Sequence, residues 1–360
     1  MDNEKKNKKH DPFKEYHRAS DPSKKEKAYY WRTAIGLQEV DGLTPSPYLL
    51  ETAKKNIEGE ISAEEVYRLL DSYYQEKREQ EQERTQEADV VSARIAHILG
   101  EQGFTFSVAQ ILSIHRRLFE GIFPHAGELR PFNITKKEWV LDGDSVTYGT
   151  APELVATLEY DLEKERTFRY DGLSDRQVVA RLAAFLAGLW QIHPFAEGNT
   201  RTVAVFFIKY LRTLGFSGVT NDAFAKNSLY FRNALVRANY TNLRLSVRAT
   251  TTYLEGFLRA VLYGEEVVLK NRTLHILYEK QPFGAKEKTT DGASQKSILH
   301  FDALVAALGK DAVFGRKEVV SILKLSPAAA SSLLKKLLFL SWIQAVKGQG
   351  KGKYRFTQDN

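Results

Sequence analysis

The sequence of 360 residues contains no cysteine. Without thiols, the chain has no means of forming a disulfide scaffold, a cysteine-ligated zinc site or an iron–sulfur cluster, and it lacks a thiol nucleophile. Apolar runs of membrane-spanning length are also missing, and no hydrophobic stretch follows the lysine-rich start. We therefore expect neither a membrane span nor a signal peptide, and we expect a cytoplasmic protein.

The net charge of +7 is concentrated near the C-terminus. Residues 296–360 hold eleven Lys and Arg against four Asp and Glu, so they account for the whole excess. Apolar residues make up 43% of the chain, which is ample for burial and excludes wholesale disorder. The length suits two or three modules, and the basic segment favours nucleic acid or another polyanion as a partner of the last one.

Changes in composition divide the chain into six segments, and most of them have helical periodicity. We expect a mainly α protein with a helical core, a β-hairpin, a small N-terminal helical module and a helical C-terminal domain that ends in a Gly-rich hairpin. The predicted segments are a flexible basic arm (1–27), a helical module (28–75), a charged helical connector (76–89), a helical core (90–265), a polar linker (266–297) and a C-terminal domain (298–357).

Turn and cap residues place the main elements. Ser62 and Ser174 each stand where a helix N-cap is expected, and a helix is expected to follow Ser46-Pro47, with the proline near its first turn. The segment 200–214 is apolar nearly all round, which predicts a central buried helix. The residues 138–148, which we call the flap, consist of two short apolar segments around Asp-Gly and predict a β-hairpin.

The segment 193–201 concentrates groups that suit phosphate chemistry. A helix start exposes unpaired N–H groups, Gly198 permits close backbone approach, and Arg201 offers a fork of donors for phosphate. Glu197 is the kind of oxygen ligand that Mg²⁺ takes, and a neutral His193 accepts a proton from an attacking hydroxyl. The same residues also fit a packed histidine followed by an ordinary turn, so the residues alone leave both interpretations open.

The segment HPFAEGNTR (193–201) resembles the signature H-x-F-x-D/E-G-N-G/K-R of the Fic (filamentation induced by cAMP) family. The upstream stretch from Ile114 to Arg130 resembles the entry helix and loop of that family, and the resemblance covers about residues 90–265. It implies a helical core with a β-hairpin flap, and transfer of AMP from ATP, with Mg²⁺, to a hydroxyl of a target protein.

The resemblance also implies roles for individual residues. His193 would be the base, Glu197 would hold Mg²⁺, and Val146, Thr147 and Tyr148 of the flap would pair with the target backbone. The residues implied in binding the phosphates of ATP are Gly198, Asn199, Thr200 and Arg201. Two positions depart from the family: Thr200 stands where it has Gly or Lys, and Ala204 where many members have a second Arg.

The segment 31–65 is similar to the small helical antitoxins that silence Fic enzymes. Their pattern S/T-x-x-x-E-G/N aligns with Leu37 to Gly42, which makes Asp41 and Gly42 the inhibitory candidates. Because Asp41 is shorter than Glu and position 204 lacks an Arg partner, we expect only a modest restraint. Glu58-Gly59 is a second candidate, and a plain helix stop at Gly42 is the alternative.

The C-terminal domain resembles a winged helix. The domain would contain a helix–turn–helix whose second helix starts at Ser326 and Pro327. A Gly-rich hairpin would form the wing. The candidate DNA contacts are Lys335, Lys336, Lys351 and Lys353. Winged helices also dock proteins, so both partners stay open. The alternative function for the whole chain is a DNA-binding regulator with a weak or inactive Fic core.

Overall fold

The computed structural model describes residues 12–13, 16, 22–76, 83–216, 222–278, 295–309, 312–339, 342–346 and 352–357. The described residues up to 278 form one unit, and those from 295 onward form a second. None of the described helices is long and apolar enough to cross a membrane.

The first unit is built from α-helices, with several 3₁₀ turns in the segments that connect them. A 3₁₀ turn at Leu37–Asp41 follows the first helix, and others lie at Trp139–Leu141, Ala151–Glu153, Leu243–Leu245 and Asn271–Leu274. The helices are α1 (Pro22–Gly36), α2 (Pro47–Glu58), α3 (Ala63–Glu76), α4 (Glu83–Gly100), α5 (Val108–Phe119), α6 (Leu154–Arg166), α7 (Asp175–Ile192), α8 (Asn199–Thr213), α9 (Asp222–Ala238) and α10 (Thr252–Tyr263).

The helix starts predicted at three serines are confirmed. Ser46 Oγ accepts a hydrogen bond from Leu49 N at 3.1 Å, and Ser62 Oγ accepts one from Glu65 N at 3.2 Å. Ser174 forms a capping box at the start of α7. At Ser46 and Ser62 the serine side chain satisfies a backbone N–H that the first turn leaves unpaired, and at Ser174 the side chain of Gln177 accepts from Ser174 N at 2.9 Å.

The helix α8 lies at the centre of the first unit, as its sequence predicts. All residues from 199 to 211 are buried. The helices α1 and α4 pack against each other, α1 also packs against α9, and α4 and α5 both pack against α8. The N-terminal helices and the motif-bearing helix therefore share one core.

A buried carboxylate ties the N-terminal helices to α4. Asp89 accepts hydrogen bonds from Ser46 N at 2.7 Å, from Ser46 Oγ at 2.5 Å and from Tyr74 Oη at 2.6 Å. Burial raises the pKa of Asp89 above its usual value, while the bonds from Ser46 and Tyr74 oppose the rise. The three bonds satisfy the carboxylate that α4 buries at this point.

Parts of the predicted connector and basic arm are buried; residues 1–11, 14–15, 17–21 and 77–82 of these two segments lie outside the described residues. We expected residues 76–89 to be solvated, but Ala88 and Asp89 are fully buried. In the arm, Phe13 and Tyr16 are buried in the core, and α1 begins at Pro22 rather than near residue 28. The arm is polar on average, but it contains two aromatic side chains whose burial is favourable.

The predicted polar linker also begins with a packed segment. Leu274 and Ile276 are buried in the core of the first unit, and Arg237 donates from Nη1 to the carbonyl of Leu274 at 2.7 Å. The expected linker over 266–297 is therefore wrong for its first part. Two apolar side chains suffice to fold a short polar segment back onto the core.

The flap departs from the predicted hairpin. Residues 139–141 form a 3₁₀ turn, and Asp142 follows at a φ of 57°. Val140 and Leu141 are both buried, whereas consecutive residues of a strand point to opposite faces. The carbonyl of Val140 accepts from Ile276 N at 2.9 Å, so this backbone is engaged elsewhere. The remaining residues, 145–148, belong to none of the described helices or strands.

The second unit contains three helices and a three-stranded antiparallel sheet. Its core includes Phe301, Phe314, Leu337, Trp342 and Phe356. The sheet order is β1–β3–β2, with Phe314 opposite Tyr354 and Ile343 opposite Phe356. The elements are α11 (Gln295–Leu308), β1 (Val313–Gly315), α12 (Arg316–Leu323), α13 (Pro327–Phe339), β2 (Ile343–Ala345) and β3 (Lys353–Phe356).

Candidate functional site

The motif loop, residues 193–198, connects α7 to α8 and is closed by an asparagine. Phe195 N donates to Asn199 Oδ1 at 2.9 Å, and Asn199 Nδ2 donates back to the carbonyl of Phe195 at 2.7 Å. The side-chain amide of Asn199 is thus committed to the loop, whereas the family resemblance implies that it contacts phosphate. Its contribution to an anion site would come from the backbone at the start of α8.

His193 ends α7 and is buried. It is 3% exposed, its backbone has a φ of 51°, and its ring lies 4.3 Å from that of Tyr148 and 5.2 Å from that of Trp190 between centroids. Nδ1 faces the carbonyl of Trp190 at 3.4 Å, which can only accept. The proton of the neutral ring therefore belongs on Nδ1, and Nε2 is left as the acceptor.

The charge state of His193 follows from its surroundings. Burial lowers its pKa well below the usual value of a histidine, and the positive charge of Lys136 lowers it further. The ring is therefore neutral at physiological pH, which is the state that can take a proton.

Gly198 is required where α8 begins. Its φ is 73°, and a Cβ at this position would lie 2.4 Å from the ring of Phe119. Both the left-handed backbone and the close approach demand glycine. Gly198, where a side chain would clash with Phe119, therefore directly precedes the backbone N–H groups of the first turn of α8.

A second histidine, which the sequence had shown only as part of a helix face, supports the loop. The ring of His115 stacks on Phe195 at 3.7 Å between centroids. Its Nδ1 accepts from Gly127 N at 2.8 Å, so Nε2 carries the proton and donates to the carbonyl of Glu197 at 3.1 Å. Burial lowers the pKa of His115 to about 4, which keeps this ring neutral.

Arg130 is a further positioning residue that we did not single out from the sequence. Its Nε donates to the carbonyl of His193 at 2.8 Å, and its backbone N donates to that of Pro194 at 2.9 Å. Nη1 donates to the carbonyl of Phe132 at 2.5 Å, and Nη2 donates to that of Gly149. One guanidinium therefore joins the motif loop to the residues flanking the flap; the only signal in the sequence was its place in GELR.

Glu197 presents its carboxylate to solvent beside a lysine. The side chain is 57% exposed, and its Oε2 lies 3.2 Å from Nζ of Lys136. The described residues hold no cluster of three or more His, Asp or Glu that could cage a metal ion. A single exposed carboxylate fits Mg²⁺ shared with substrate phosphates and water, which is the usual mode for this ion.

Arg201 is buried and is surrounded by acceptors from the N-terminal helices. Its Nε lies 2.8 Å from Oδ2 of Asp41, its Nη1 donates to Gln38 Oε1 at 3.1 Å, and its Nη2 donates to Glu87 Oε1 at 2.7 Å. The guanidinium also lies over the ring of Phe119 at 4.8 Å. Arg201, for which the family resemblance implies a phosphate contact, is thus paired with two carboxylates and an amide. Neither Gln38 nor Glu87 is among the residues that the sequence predicts at this site.

The two positions that depart from the family pattern are both buried. Thr200 Oγ1 accepts from Trp190 Nε1 at 3.0 Å, so its hydroxyl is turned into the core. Ala204 is fully buried in α8. The side chain of Thr200 therefore has a packing role, in addition to any contact that the backbone of Thr200 makes with a ligand.

The flap alternates inward and outward. Val146 and Tyr148 are buried, and Thr147 is exposed. The carbonyl of Thr147 accepts from Gln191 Nε2 at 2.9 Å, and Tyr148 Oη donates to Glu138 Oε1 at 3.3 Å. Only Thr147 of the three predicted docking residues offers its side chain to a partner.

The candidate DNA contacts belong to the second unit. Lys335 is exposed, Lys336 is half-buried, and Lys353 Nζ lies 3.4 Å from Oε1 of Glu318. Lys351 lies outside the described residues.

Comparison with known proteins assigns the part of the chain that carries the motif loop. Residues 105–211 match the model of the Fic/DOC family. The chain is 27% identical over 155 residues to protein adenylyltransferase VbhT of Bartonella schoenbuchensis, which corresponds to 40% of this chain and 31% of that protein. The chain thus spans about a third of the length of this curated relative.

Two solved structures are similar in part. A Fic family protein from Desulfovibrio desulfuricans G20 is 16% identical, with a TM-score of 0.43 over 94% of this chain and 88% of that one. The N-terminal FIC domain of Bep8, a VirB-translocated effector of Bartonella sp. 1-1C, is 18% identical, with a TM-score of 0.37 over 56% of this chain and 87% of that one. The family match at the motif loop makes residues 105–211 a Fic domain, and the chain is in part homologous to a Fic adenylyltransferase.

Proposed function

We propose that the chain is a protein adenylyltransferase that moves AMP from ATP to a hydroxyl side chain of a target protein. The observation that carries the proposal is the buried, neutral His193, with Nε2 as its acceptor, in the same loop as the exposed carboxylate of Glu197 and the start of α8. A base, a metal ligand and an anion-binding helix end are the parts that nucleotidyl transfer needs.

The transfer step is an in-line displacement at phosphorus. The hydroxyl oxygen of the target attacks the α-phosphorus of ATP, and the bond from that phosphorus to the bridging oxygen breaks. The hydroxyl proton passes to Nε2 of His193, and pyrophosphate leaves with the bonding electron pair. Mg²⁺, when held by Glu197, would neutralise charge on the phosphates. Thr147 and the residues beside it would receive the target segment.

We further propose that the N-terminal helices restrain the transfer. Arg201 is the buried guanidinium in the first turn of α8, and Asp41, Gln38 and Glu87 occupy its nitrogens. A phosphate that used Arg201 would have to displace charge-assisted bonds. The restraint predicted for Asp41 alone is thus extended to a second carboxylate, Glu87 on α4.

Labelled ATP tests the proposed reaction directly. The purified full chain is incubated with Mg²⁺ and a lysate, in parallel with ATP labelled on the α-phosphate and ATP labelled on the γ-phosphate. We expect protein to acquire the α-label and not the γ-label. Transfer of the γ-label would instead indicate phosphorylation, and transfer of neither label by the variants that release Arg201 would contradict an adenylyltransferase.

For the second unit we propose a winged helix that binds duplex DNA, with α13 in the major groove. The element order and the β1–β3–β2 sheet support it, and α13 exposes Ala328, Ala329, Ser332 and Lys335 on one side. Small residues permit close approach, and the lysine suits a phosphate.

We expect the full chain to retain labelled duplex DNA at low salt, with affinity falling steeply as salt rises and falling further in Lys335→Ala. Salt-independent or absent retention would favour protein docking.

A further inference from the structure

Lys136 lies just before the flap and reaches the motif loop. Its Nζ is 3.2 Å from Oε2 of Glu197. Its positive charge is also the largest influence, after burial, on the lowered pKa of His193. One ammonium group, which lies outside the motif of residues 193–201, is therefore close to both the proposed base and the proposed metal ligand.

The backbone of Lys136 is held by the flap, and its side chain remains accessible. Its N donates to Ser145 Oγ at 3.2 Å, and two residues later Glu138 N donates to the carbonyl of Asp144 at 2.9 Å. The side chain of Lys136 is 29% exposed, and that of Glu197 is 57% exposed. An ion pair this open to solvent contributes little free energy, so it opens at little cost.

The described guanidinium groups around His193 are engaged in buried bonds. Arg130 donates to backbone carbonyls, Arg201 is surrounded by acceptors, and Arg232 pairs with the buried Glu138 at 2.8 Å. Each would have to give up buried hydrogen bonds in order to reach a phosphate. Lys136 has only to leave an exposed carboxylate.

We propose that Lys136 is a nucleotide-binding residue: its ammonium binds the phosphates of ATP when Glu197 takes up the divalent cation. The inference rests on the proposed function and adds a residue to its site. The exchange conserves charge pairing, because the cation replaces the ammonium at Glu197 and the phosphates replace the carboxylate at Lys136. An ammonium suits this task because it is a compact point charge with three rotatable donors.

The test is calorimetric titration of the full chain with ATP in the presence of Mg²⁺. We expect Lys136→Met to weaken ATP binding about tenfold, since a charge-assisted phosphate contact is lost. Lys136→Arg is expected to restore the affinity to within about threefold of the wild type, because it keeps the charge. The matched control is Lys137→Met, which removes the same charge from the exposed neighbouring residue and should leave the affinity unchanged.

The outcomes separate the inference from the proposed function. If Lys136→Met and Lys137→Met bind ATP with equal affinity and the wild type also binds it, the role of Lys136 is overturned and the proposed function is not. Failure of Lys136→Arg to restore binding would assign the loss to packing and would overturn the role as well. Absence of ATP binding by the wild type and by all three variants would overturn both.

Discussion

Replacing His193 with asparagine is expected to reduce transfer of α-labelled AMP by about 10² to 10⁴-fold, the range that loss of a general base covers. Asparagine is chosen because it tolerates the left-handed backbone of this position, where φ is 51°. It lacks the Nε2 acceptor that the neutral imidazole presents. The rate of label transfer is measured together with ATP affinity, which should change little, because the step that is lost is proton transfer.

The pH dependence of the wild type provides a second check on His193. Only the neutral ring accepts a proton, and burial with the nearby charge of Lys136 lowers its pKa. Activity should therefore stay level as the pH falls from about 8 to about 6.5, the usual value for histidine, and should decline only at lower pH. A decline that begins above the usual value would contradict the lowered pKa. Transfer by His193→Asn at more than about a tenth of the wild-type rate would contradict the role as base.

Removing both carboxylates that hold Arg201 is expected to raise the AMP transfer rate by about 10 to 100-fold. The estimate follows from an ion pair with Asp41 at 2.8 Å and a charge-assisted hydrogen bond to Glu87 at 2.7 Å. Asp41→Ala alone is expected to raise the rate only a few-fold, because Glu87 and Gln38 still occupy the guanidinium. The double variant Asp41→Ala/Glu87→Ala frees two of the three contacts.

The measurement compares label transfer and ATP affinity in the two single variants and the double variant. Glu83→Ala is the matched control, because Glu83 is an exposed carboxylate one turn earlier on α4. The double variant leaves a buried guanidinium with fewer partners, so its melting temperature should fall. A folded double variant whose ATP affinity and transfer rate equal those of the wild type would contradict the restraint. Full activation by Asp41→Ala alone would remove Glu87 from the proposal.

The flap and the arm show where local sequence was insufficient. The Asp-Gly turn favoured a hairpin, but Val140 and Leu141 are both drawn into the core, and the segment becomes a 3₁₀ turn. Phe13 is buried although its neighbours in the chain are mostly charged. In both places long-range burial of apolar surface outweighs the local preference. Helix starts were predictable because a cap depends on residues only three positions apart.

The sequence by itself determined the helical class, the serine caps, the buried character of α8, the basic excess of residues 296–360 and the motif of residues 193–201. Only the tertiary structure decided what the motif residues touch. Gln38 meets Arg201 across 163 positions, Glu87 meets it across 114, and Lys136 meets Glu197 across 61. The reason is physical: periodicity and caps are local properties of the chain, whereas the partner of a charged group is set by which helices pack together, and that depends on the apolar faces of the entire core.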